Sequence, residues 1–308
     1  MSDKSVMTTS QAPHAVNVVY QKQALRTLHK FIVHAGWGQN YQMPLHAGDT
    51  MKWSRWSALT AVTTPLDEVN DPNPILATRT DLSVSMKSYG AWMKLTEWLQ
   101  MTGMGSTQAT LATLLSKQMT LSLDTLVRDV LAGSYSYTTC SNGSGTATLP
   151  NKTDIDTIVK TLYSAGAEMI TSRMGAASGQ GTSPLSAAFI GIMHTNGMNR
   201  LKKVAGFTEV KNYASPGQAY PYEFGATGMV RWILTNNGYT SGDTYYAPIL
   251  GQGAYGEVRM KSGSNPLIYK SPEQSPSPLN MYGTLGWKMP FASRLLNNLL
   301  IHVMRHTV

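Results

Sequence analysis

Residues 106–133 read STQATLATLLSKQMTLSLDTLVRDVLAG, and their spacing predicts one uninterrupted helix. Leu111, Leu115, Met119, Leu123, Leu126, Val127, Val130 and Leu131 share one broad apolar face at helical periodicity. Lys117, Asp124 and Arg128 fall on the opposite, solvated face, where Asp124 and Arg128 have the spacing of an i,i+4 ion pair. Ser106 offers a hydroxyl to cap the first turn, and Gly133 offers a left-handed residue to end the last. At about 1.5 Å per residue the helix is roughly 40 Å long. A helix of this length, with structure expected on both sides, reads as a strut.

The surrounding chain has 308 residues, enough for a substantial core and more than one domain. Only 14% of residues are charged, against the usual quarter, and the formal net charge is +8. The positive balance suits polyanions, but no run of basic residues exceeds Lys202-Lys203, so the stripe of a DNA-reading domain is missing. Cys140 is the only cysteine, which fits a reducing compartment. The N-terminus is polar, without the apolar region of a secretory signal, and no apolar run reaches membrane-span length. The two Asn-x-Ser/Thr sites, at Asn142 and Asn151, then read as chance matches.

Upstream of the strut, residues 1–13 read as a weakly held tail, and Tyr20 to Val33 as a short amphipathic helix with a basic stripe at Lys22, Arg26 and Lys30. Gly36-Trp37-Gly38 breaks it. Met51 to Trp56 and Asp81 to Lys87 alternate as two strands around a turn-rich acidic tip carrying Asp67, Glu68 and Asp71. Together they form a long two-stranded arm, too thin to bury its own large side chains. Trp53 and Trp56 pack either onto a neighbour or into a home core.

Downstream, 134–150 is a Ser/Thr/Gly loop, and Asp154 to Ile170 a second amphipathic helix with Ile155, Ile158, Val159, Leu162 and Met169 inside. A loop follows at 175–184. Ala187 to Met193 reads as a buried strand, Thr195 to Lys203 as helical, and Gly228 to Leu234 and Tyr245 to Leu250 as further strands. Ser271 to Pro278 is a stiff Pro-rich connector. Leu285 to Met289 and Ala292 to Val303 read as strands, with Pro290 demoting their junction to a bulge or edge. So short a C-terminal piece must return onto earlier structure, and the strut is the available surface.

No catalytic constellation stands out. Gly251 to Val258 (GQGAYGEV) matches the phosphate loop of protein kinases, but the Lys-strand, His-Arg-Asp and Asp-Phe-Gly motifs that should follow are not in the sequence. Its glycines read instead as a strand end and tight turn. His302 and His306 lie in a strand-like pattern and should not share a face as on a helix; no acidic or cysteine partner is nearby to complete a zinc site. Asp154 with Asp156 reads as helix capping, and Asp67 with Glu68 as a solvated tip. Glu223 accepts bonds within the turn before the strand at Gly228, or pairs with Arg231 at the surface, where such a pair contributes about 0–1 kcal/mol.

In order, the pieces are a basic helical arm, a long hairpin, a strut helix, an α+β unit, a Pro-rich return and final strands. This order resembles the major capsid proteins of tailed double-stranded-DNA bacteriophages, with the Hong Kong 97-type fold, in the branch typified by N-four-like phages. Leu121 to Ala132 (LSLDTLVRDVLA) is similar to that branch's spine-helix signature, and Pro44 to Trp53 to its entry into the hairpin. Tyr222-Glu223-Phe224-Gly225 with Gly228 to Ile233 looks like its Glu-x-Gly turn and strand, and Gly286-Trp287-Lys288 with Phe291-Ala292 like its C-terminal strand. The Gly251–Gly256 turn has a counterpart there as well. His194-Thr195-Asn196 departs from the family's His-Pro-Asp, so Asn196 is the expected cap of the helix that follows. Pro290 and the Tyr-rich segment around Tyr245 are also particular to this chain.

The resemblance implies an α+β fold of five parts. They are an N-terminal arm (1–45), an extended hairpin loop (46–95), a peripheral domain with the spine helix (96–150), an axial domain (151–268) and return strands of the peripheral domain (269–308). It implies a non-enzymatic shell subunit, without cofactor or metal, in the virion capsid and made in the host cytoplasm. Its partners would be itself, as hexamers and pentamers of an icosahedral shell, and packaged double-stranded DNA without sequence preference. Scaffold, portal and cementing proteins are further partners the family suggests; no membrane is involved. Lys52, Trp53, Arg55, Trp56, Asp67, Glu68, Arg79, Leu82, Val84 and Met86 would make intersubunit contacts through the hairpin loop. Leu115, Met119, Leu126 and Val130 would hold the spine helix. From a different class, the positive charge alone supports a non-enzymatic nucleic-acid-binding accessory protein.

Overall fold

The computed structural model describes residues 33–45, 48–65, 72–102, 107–134, 136–141, 146–172, 185–213, 219–260, 266–274 and 278–308. The readings of the 1–13 tail, the Tyr20 to Val33 helix apart from Val33 itself, the tip at Asp67, Glu68 and Asp71, the Ser106 cap and the 175–184 loop lie outside the described residues.

The strut is a helix over Thr107–Ala132, 26 residues, preceded by a short helix, α1, over Glu97–Thr102. Leu115, Met119, Leu123, Val127 and Leu131 are fully buried, a strict i,i+4 series. Each four-residue step overshoots a turn by about 40°, so the series winds around the helix by roughly 160° from end to end. The winding lets one helix serve two sheets. Toward its N-terminal end, Gln108 and Gln118 bond Tyr269 and Trp287 of the first sheet. Toward its C-terminal end, Thr125 and Arg128 bond Asn237 in the second unit. Leu126 is half-buried against the same core, and Val130 is half-buried.

A second i,i+4 series, Ala112, Ser116, Thr120 and Asp124, is buried beside the first. The Ser116 and Thr120 hydroxyls donate back to the carbonyls of Ala112 and Ser116 at 2.8 and 2.9 Å, which satisfies them without solvent. This corrects the placing of Asp124 on a solvated face: it is 1% exposed. The expected Asp124–Arg128 pair does not form. Arg128 instead pairs with Asp129 at 2.6 Å. Gly133 does not take a left-handed conformation; its amide simply extends the ladder to the Asp129 carbonyl at 3.1 Å.

The first sheet has five strands. They are β1 (Gln39–Met43), β4 (Lys87–Thr96), β12 (Tyr255–Met260), β13 (Leu267–Lys270) and β14 (Tyr282–Leu295). β14 is central: β4 lines one edge, and β13 then β12 line the other. β14 runs through Pro290, which takes the edge position that the sequence reading allowed. β13 pairs up to Trp287 and β12 from Phe291, so Pro290 sits in the gap between their ends on that edge. Leu285, Trp287 and Phe291 pack on the long helix with Leu95 and Tyr255. The return onto the strut is therefore observed.

The second sheet has eight strands in the order β5-β15-β11-β6-β9-β8-β7, with β10 on β11. Here β5 is Tyr137–Thr139, β6 Phe189–His194, β7 Phe207–Glu209, β8 Glu223–Thr227, β9 Val230–Thr235, β10 Thr240–Ser241, β11 Thr244–Leu250 and β15 Ile301–His306. The expected strand from Ala292 to Val303 is split: β14 ends in the first sheet and β15 begins in the second, with a 3₁₀ turn, Asn298–Leu300, between. Ile190, Ile192, Ile233, Leu250 and Ile301 face the long helix. Phe189, Trp232, Ala247, Ile249 and Met304 face the second helix, Lys152–Ser164, through its Ile155, Ile158 and Leu162. Covered on both faces, these strands read as continuous apolar runs. The second helix is capped by Asn151, whose Oδ1 accepts from the Asp154 amide at 2.8 Å. It stops well short of Ile170, where the chain turns through Gly166 at φ 73°.

Of three polar readings in this unit, two change and that of His302 and His306 as strand residues holds. His194, not Asn196, caps the short helical turn after β6: its Nδ1 accepts from the Asn196 amide at 3.1 Å. Asn196 instead donates to the Tyr245 hydroxyl. His302 and His306 lie on one face of β15, as every second strand residue does, but about 13 Å apart. His302 bonds the Ser136 and Thr138 hydroxyls. Glu223 is no surface group. Its carboxylate takes Nε and Nη2 of Arg231 at 2.7 and 2.6 Å, the Tyr213 hydroxyl at 2.8 Å and the Tyr220 amide at 2.9 Å. The turn and ion-pair readings therefore both hold, in a buried setting.

Two outcomes follow in denaturant titrations. Leu123→Ala leaves a cavity between helix and sheets and costs about 2–5 kcal/mol, with the half-buried Leu126→Ala costing less. Glu223→Gln strips Arg231 of its buried counter-ion and costs about 3–5 kcal/mol, rather than the near-zero change of a surface pair. A loss below about 1 kcal/mol would mean that Arg231 finds another anion.

Candidate assembly site: the hairpin arm and its anchorage

The arm is a two-stranded ribbon of β2 (Thr50–Trp56) and β3 (Arg79–Ser85), antiparallel with Thr50 opposite Ser85 and Trp56 opposite Arg79. The return strand stops at Ser85 because the chain bends at Met86, whose amide bonds Asp49, and enters the first sheet as β4. Period-2 alternation gives the ribbon one apolar face. At its root Met51, Trp53, Val84 and Met86 pack on Met43, Val258 and Ala292 of the first sheet. Trp53 meets Tyr41 edge-on at 5.5 Å, and Arg294 donates to the Ser83 carbonyl. Of the two alternatives for the tryptophans, Trp53 therefore packs at home. Trp56 remains 61% exposed.

Beyond the root the described residues of the arm are in solvent. All described residues of 57–65 and 72–78 are exposed, with Leu59, Val62, Ile75 and Leu76 among them, Leu76 at 89%. Lys52 and Arg55 are exposed, Arg79 is exposed and paired with Asp81 at 2.8 Å, and Leu82 is half-buried. Asp67 and Glu68 lie outside the described residues. The structure thus divides the proposed contact residues into a root held by the first sheet and an exposed outer part.

The N-terminal segment is held by a cluster that sequence reading missed. Asp124 Oδ1 accepts from the Val33 and His34 amides at 3.1 and 2.8 Å. Its Oδ2 meets His34 Nδ1 at 2.8 Å and Asn237 Nδ2 at 2.9 Å. A carboxylate only accepts, so His34 carries a proton on Nδ1. Gly36 donates to Glu257 Oε1 at 3.0 Å, and the Tyr255 hydroxyl donates to the His34 carbonyl at 2.5 Å. Residues 33–37 are thereby clamped between the long helix and β12. The available signal was a lone Asp next to the buried-stripe residue Leu123, with nothing in the sequence to name its partners.

Burial pushes the Asp124 carboxyl up. The His34 bond and charge, the Asn237 amide and the His34 backbone amide outweigh it and hold the group below the ordinary carboxylate range. Burial and the nearby Asp154 push the Cys140 thiol up, so this buried cysteine stays protonated and inert. Among the described residues no group of His, Cys, Asp and Glu is arranged to hold a metal ion.

No family model matches the sequence, and no curated protein sequence does. Solved structures do match. The chain is similar to one in the capsid of Ralstonia phage GP4, with a TM-score of 0.68 and 11% identity over 91% of this chain and 90% of that chain. It is similar to one in the mature capsid of bacteriophage PhiM1, with a TM-score of 0.60 and 10% identity over 90% and 87%. It is also similar to the virus-like particle from Pyrococcus furiosus, with a TM-score of 0.55 and 10% identity over 93% and 98%. The chain has the mixed α+β, Hong Kong 97-type capsid fold.

Asp124→Asn removes the charge that the clamp is built around. Since the folded group titrates below its unfolded value of about 3.9, it stabilises the fold above that pH and the contribution is lost as pH falls through the folded value. In chemical denaturation the variant is less stable than wild type at pH 7, and its deficit shrinks below about pH 4. A deficit that stays constant into acid would assign the effect to shape rather than charge.

Proposed function

We propose that this chain is the structural subunit of a closed shell of virion type, built from many copies of itself and non-catalytic. The observation that carries this reading is the exposed outer arm: a ribbon with Trp56, Leu59, Val62, Ile75 and Leu76 in solvent, on a fold shared with phage capsid chains. Such a surface on a lone subunit is an aggregation liability, and burial against neighbouring copies removes it. On this reading 46–95 serve as the extended loop, the long helix as spine, and the first and second sheets as the centres of the peripheral and axial parts. The net charge of +8 suits an inner wall against packaged double-stranded DNA, held without sequence preference. The likeness of residues 121–132 to an N-four-like signature supports that branch. Scaffold, portal and cementing proteins belong to the same reading, as does synthesis in a host cytoplasm before incorporation in the virion.

Replacing Val62 to Ile75 by an Asn-Gly turn tests it. The shortened chain keeps the circular dichroism and melting temperature of wild type, because the described residues among those removed are all exposed, yet forms no closed particles in negative-stain micrographs. Normal shells from the shortened chain would sink the assembly role of the arm. Wild-type monomers that bind DNA with a steep salt dependence, and never assemble, would favour the accessory-protein reading.

A further inference from the structure

The histidine at the end of β15 and the Tyr-rich start of β11 meet at one place in the second sheet. β6 and β11 pair only at Ile190 with Leu250 and at Gly191 with Ile249. Beyond Gly191 the two strands no longer pair, although β6 runs on to His194 and β11 begins as far back as Thr244. Rings fill the wedge between them. Tyr245 stacks on His306 with centroids 5.9 Å apart and planes inclined by 20°, and it meets His194 at 5.2 Å. Asn196 ties the turn after β6 to this stack by donating to the Tyr245 hydroxyl at 3.0 Å. The packing is close: a Cβ on Gly197 would stand 2.9 Å from Met193 Sδ and 3.3 Å from His306 Cε1.

Both imidazoles are set up for the neutral form. A carbonyl only accepts, so His306 carries its proton on Nδ1, toward the Thr307 carbonyl at 2.8 Å. Its Nε2 is buried without a partner, on a residue 0% exposed. A second proton there has no acceptor. His194 Nδ1 accepts from the Asn196 amide at 3.1 Å, so it is bare, and adding a proton breaks the bond that caps the turn. Burial holds His194 below the ordinary imidazole range, against a bond to the Asn236 backbone. Burial likewise holds His306 low, against the Thr307 bond and with added repulsion from His194.

The groups that face the two rings are each other, Tyr245 and Asn196. Arg305 lies on the opposite face of β15, over Tyr137 and Tyr246. Asp243, just before β11, is exposed, and Asp154 on the second helix acts on Cys140. Neither His194 nor His306 has an ion pair among the described residues. The Tyr245 ring attracts one cation, but two would crowd it. His302, on the same face of the same strand, is built differently. Its two nitrogens meet the Ser136 and Thr138 hydroxyls at 2.8 and 2.7 Å, and a hydroxyl rotates to accept as readily as to donate. The start of β15 therefore has spare acceptors for a protonated ring, and its end has none.

We propose that the His194–Tyr245–His306 wedge is an acid-operated latch. It is closed while both rings are neutral, and it opens, with the end of β15 and the turn after β6, when they take up protons. The latch lies within one chain and does not depend on the shell reading. A histidine in the open state titrates near about 6.5, and the closed state holds both rings lower. The latch is thus fully closed above about pH 6.5 and weakens as pH falls from there through the folded values. Between about pH 7.5 and 5.5 the opening constant rises by up to about tenfold for each ring, or about a hundredfold for both.

Amide hydrogen exchange of the full chain, read by mass spectrometry and corrected for intrinsic rates, tests the latch. From about pH 7.5 to 5.5, residues 194–201, 244–247 and 304–307 lose protection by about a hundredfold, while β4, β12 and β14 keep theirs. In His194→Asn/His306→Phe an amide oxygen still caps the turn and a ring still stacks on Tyr245, and the loss falls below about threefold. His302→Gln leaves the loss at wild-type size. Should the double variant not fold, His194→Asn alone reduces the loss to about tenfold. Unchanged protection in acid, or equal loss across both sheets, overturns the proposal. So does a loss that His302→Gln abolishes or that the histidine-wedge variants leave intact.

Discussion

The fold depends on a carboxylate taken into the core by the long helix. Asp124 is four residues beyond Thr120 on a buried stripe, so packing that stripe against its neighbours necessarily buries the acid. An unpaired buried charge is strongly unfavourable, and removing its partners costs several kcal/mol, on the order of 3–5. The chain meets this demand with donors from two distant places, residues 33–34 before the first strand and Asn237 after β9. The helix, the N-terminal segment and the second sheet are therefore coupled: none can leave its native position without leaving Asp124 short of partners. Glu257 repeats the device on β12, bonding Gly36 on one side and Arg259 at 3.0 Å on the other.

Around that node the winding i,i+4 stripe of the long helix does the rest. A stripe that stayed on one side would serve one sheet and leave the other without cover. Turning through about 160° from Leu115 to Leu131, it presents apolar surface first to Leu285 and Trp287 and later to Ile192, Ile233 and Ile301. The two sheets then share a single rigid strut. Each has a further face to use. The second sheet closes its far side with the Lys152–Ser164 helix. The first closes only part of its far side, with the root of the arm, and leaves Trp92 and Ile268 in solvent. The first sheet thus buries less than its own apolar surface.

Elements whose stability comes from local periodicity were legible in the sequence. The long helix, the paired strands of the arm, the buried run at Phe189 to Met193 and the helix carrying Ile155, Ile158 and Leu162 all appear near their expected positions. Each repeats a pattern of period two or of helical spacing over its own length, and the pattern survives whatever it packs against. The order of these elements was enough to point to a fold shared with phage capsid chains that have about a tenth of their residues in common with this one.

What periodicity cannot express was decided by tertiary structure. Asp124 and Glu223 look like solvated acids in sequence because hydropathy assigns a charge to water. Their burial depends on His34, Asn237, Tyr213 and Arg231 arriving from elsewhere in the chain. Pro290 read as a bulge or an edge because of its missing amide, and the gap between β13 and β12 that decides for the edge is visible only once three strands are aligned. The C-terminal residues read as one unit, yet β14 and β15 lie in different sheets, since each apolar strand goes to the edge that can cover both its faces. The sequence by itself determined which segments are helix, strand and exposed arm, because those are set by contacts between near neighbours. Only the tertiary structure decided which polar groups lie inside and which apolar ones remain outside, because that is set by what meets across the fold.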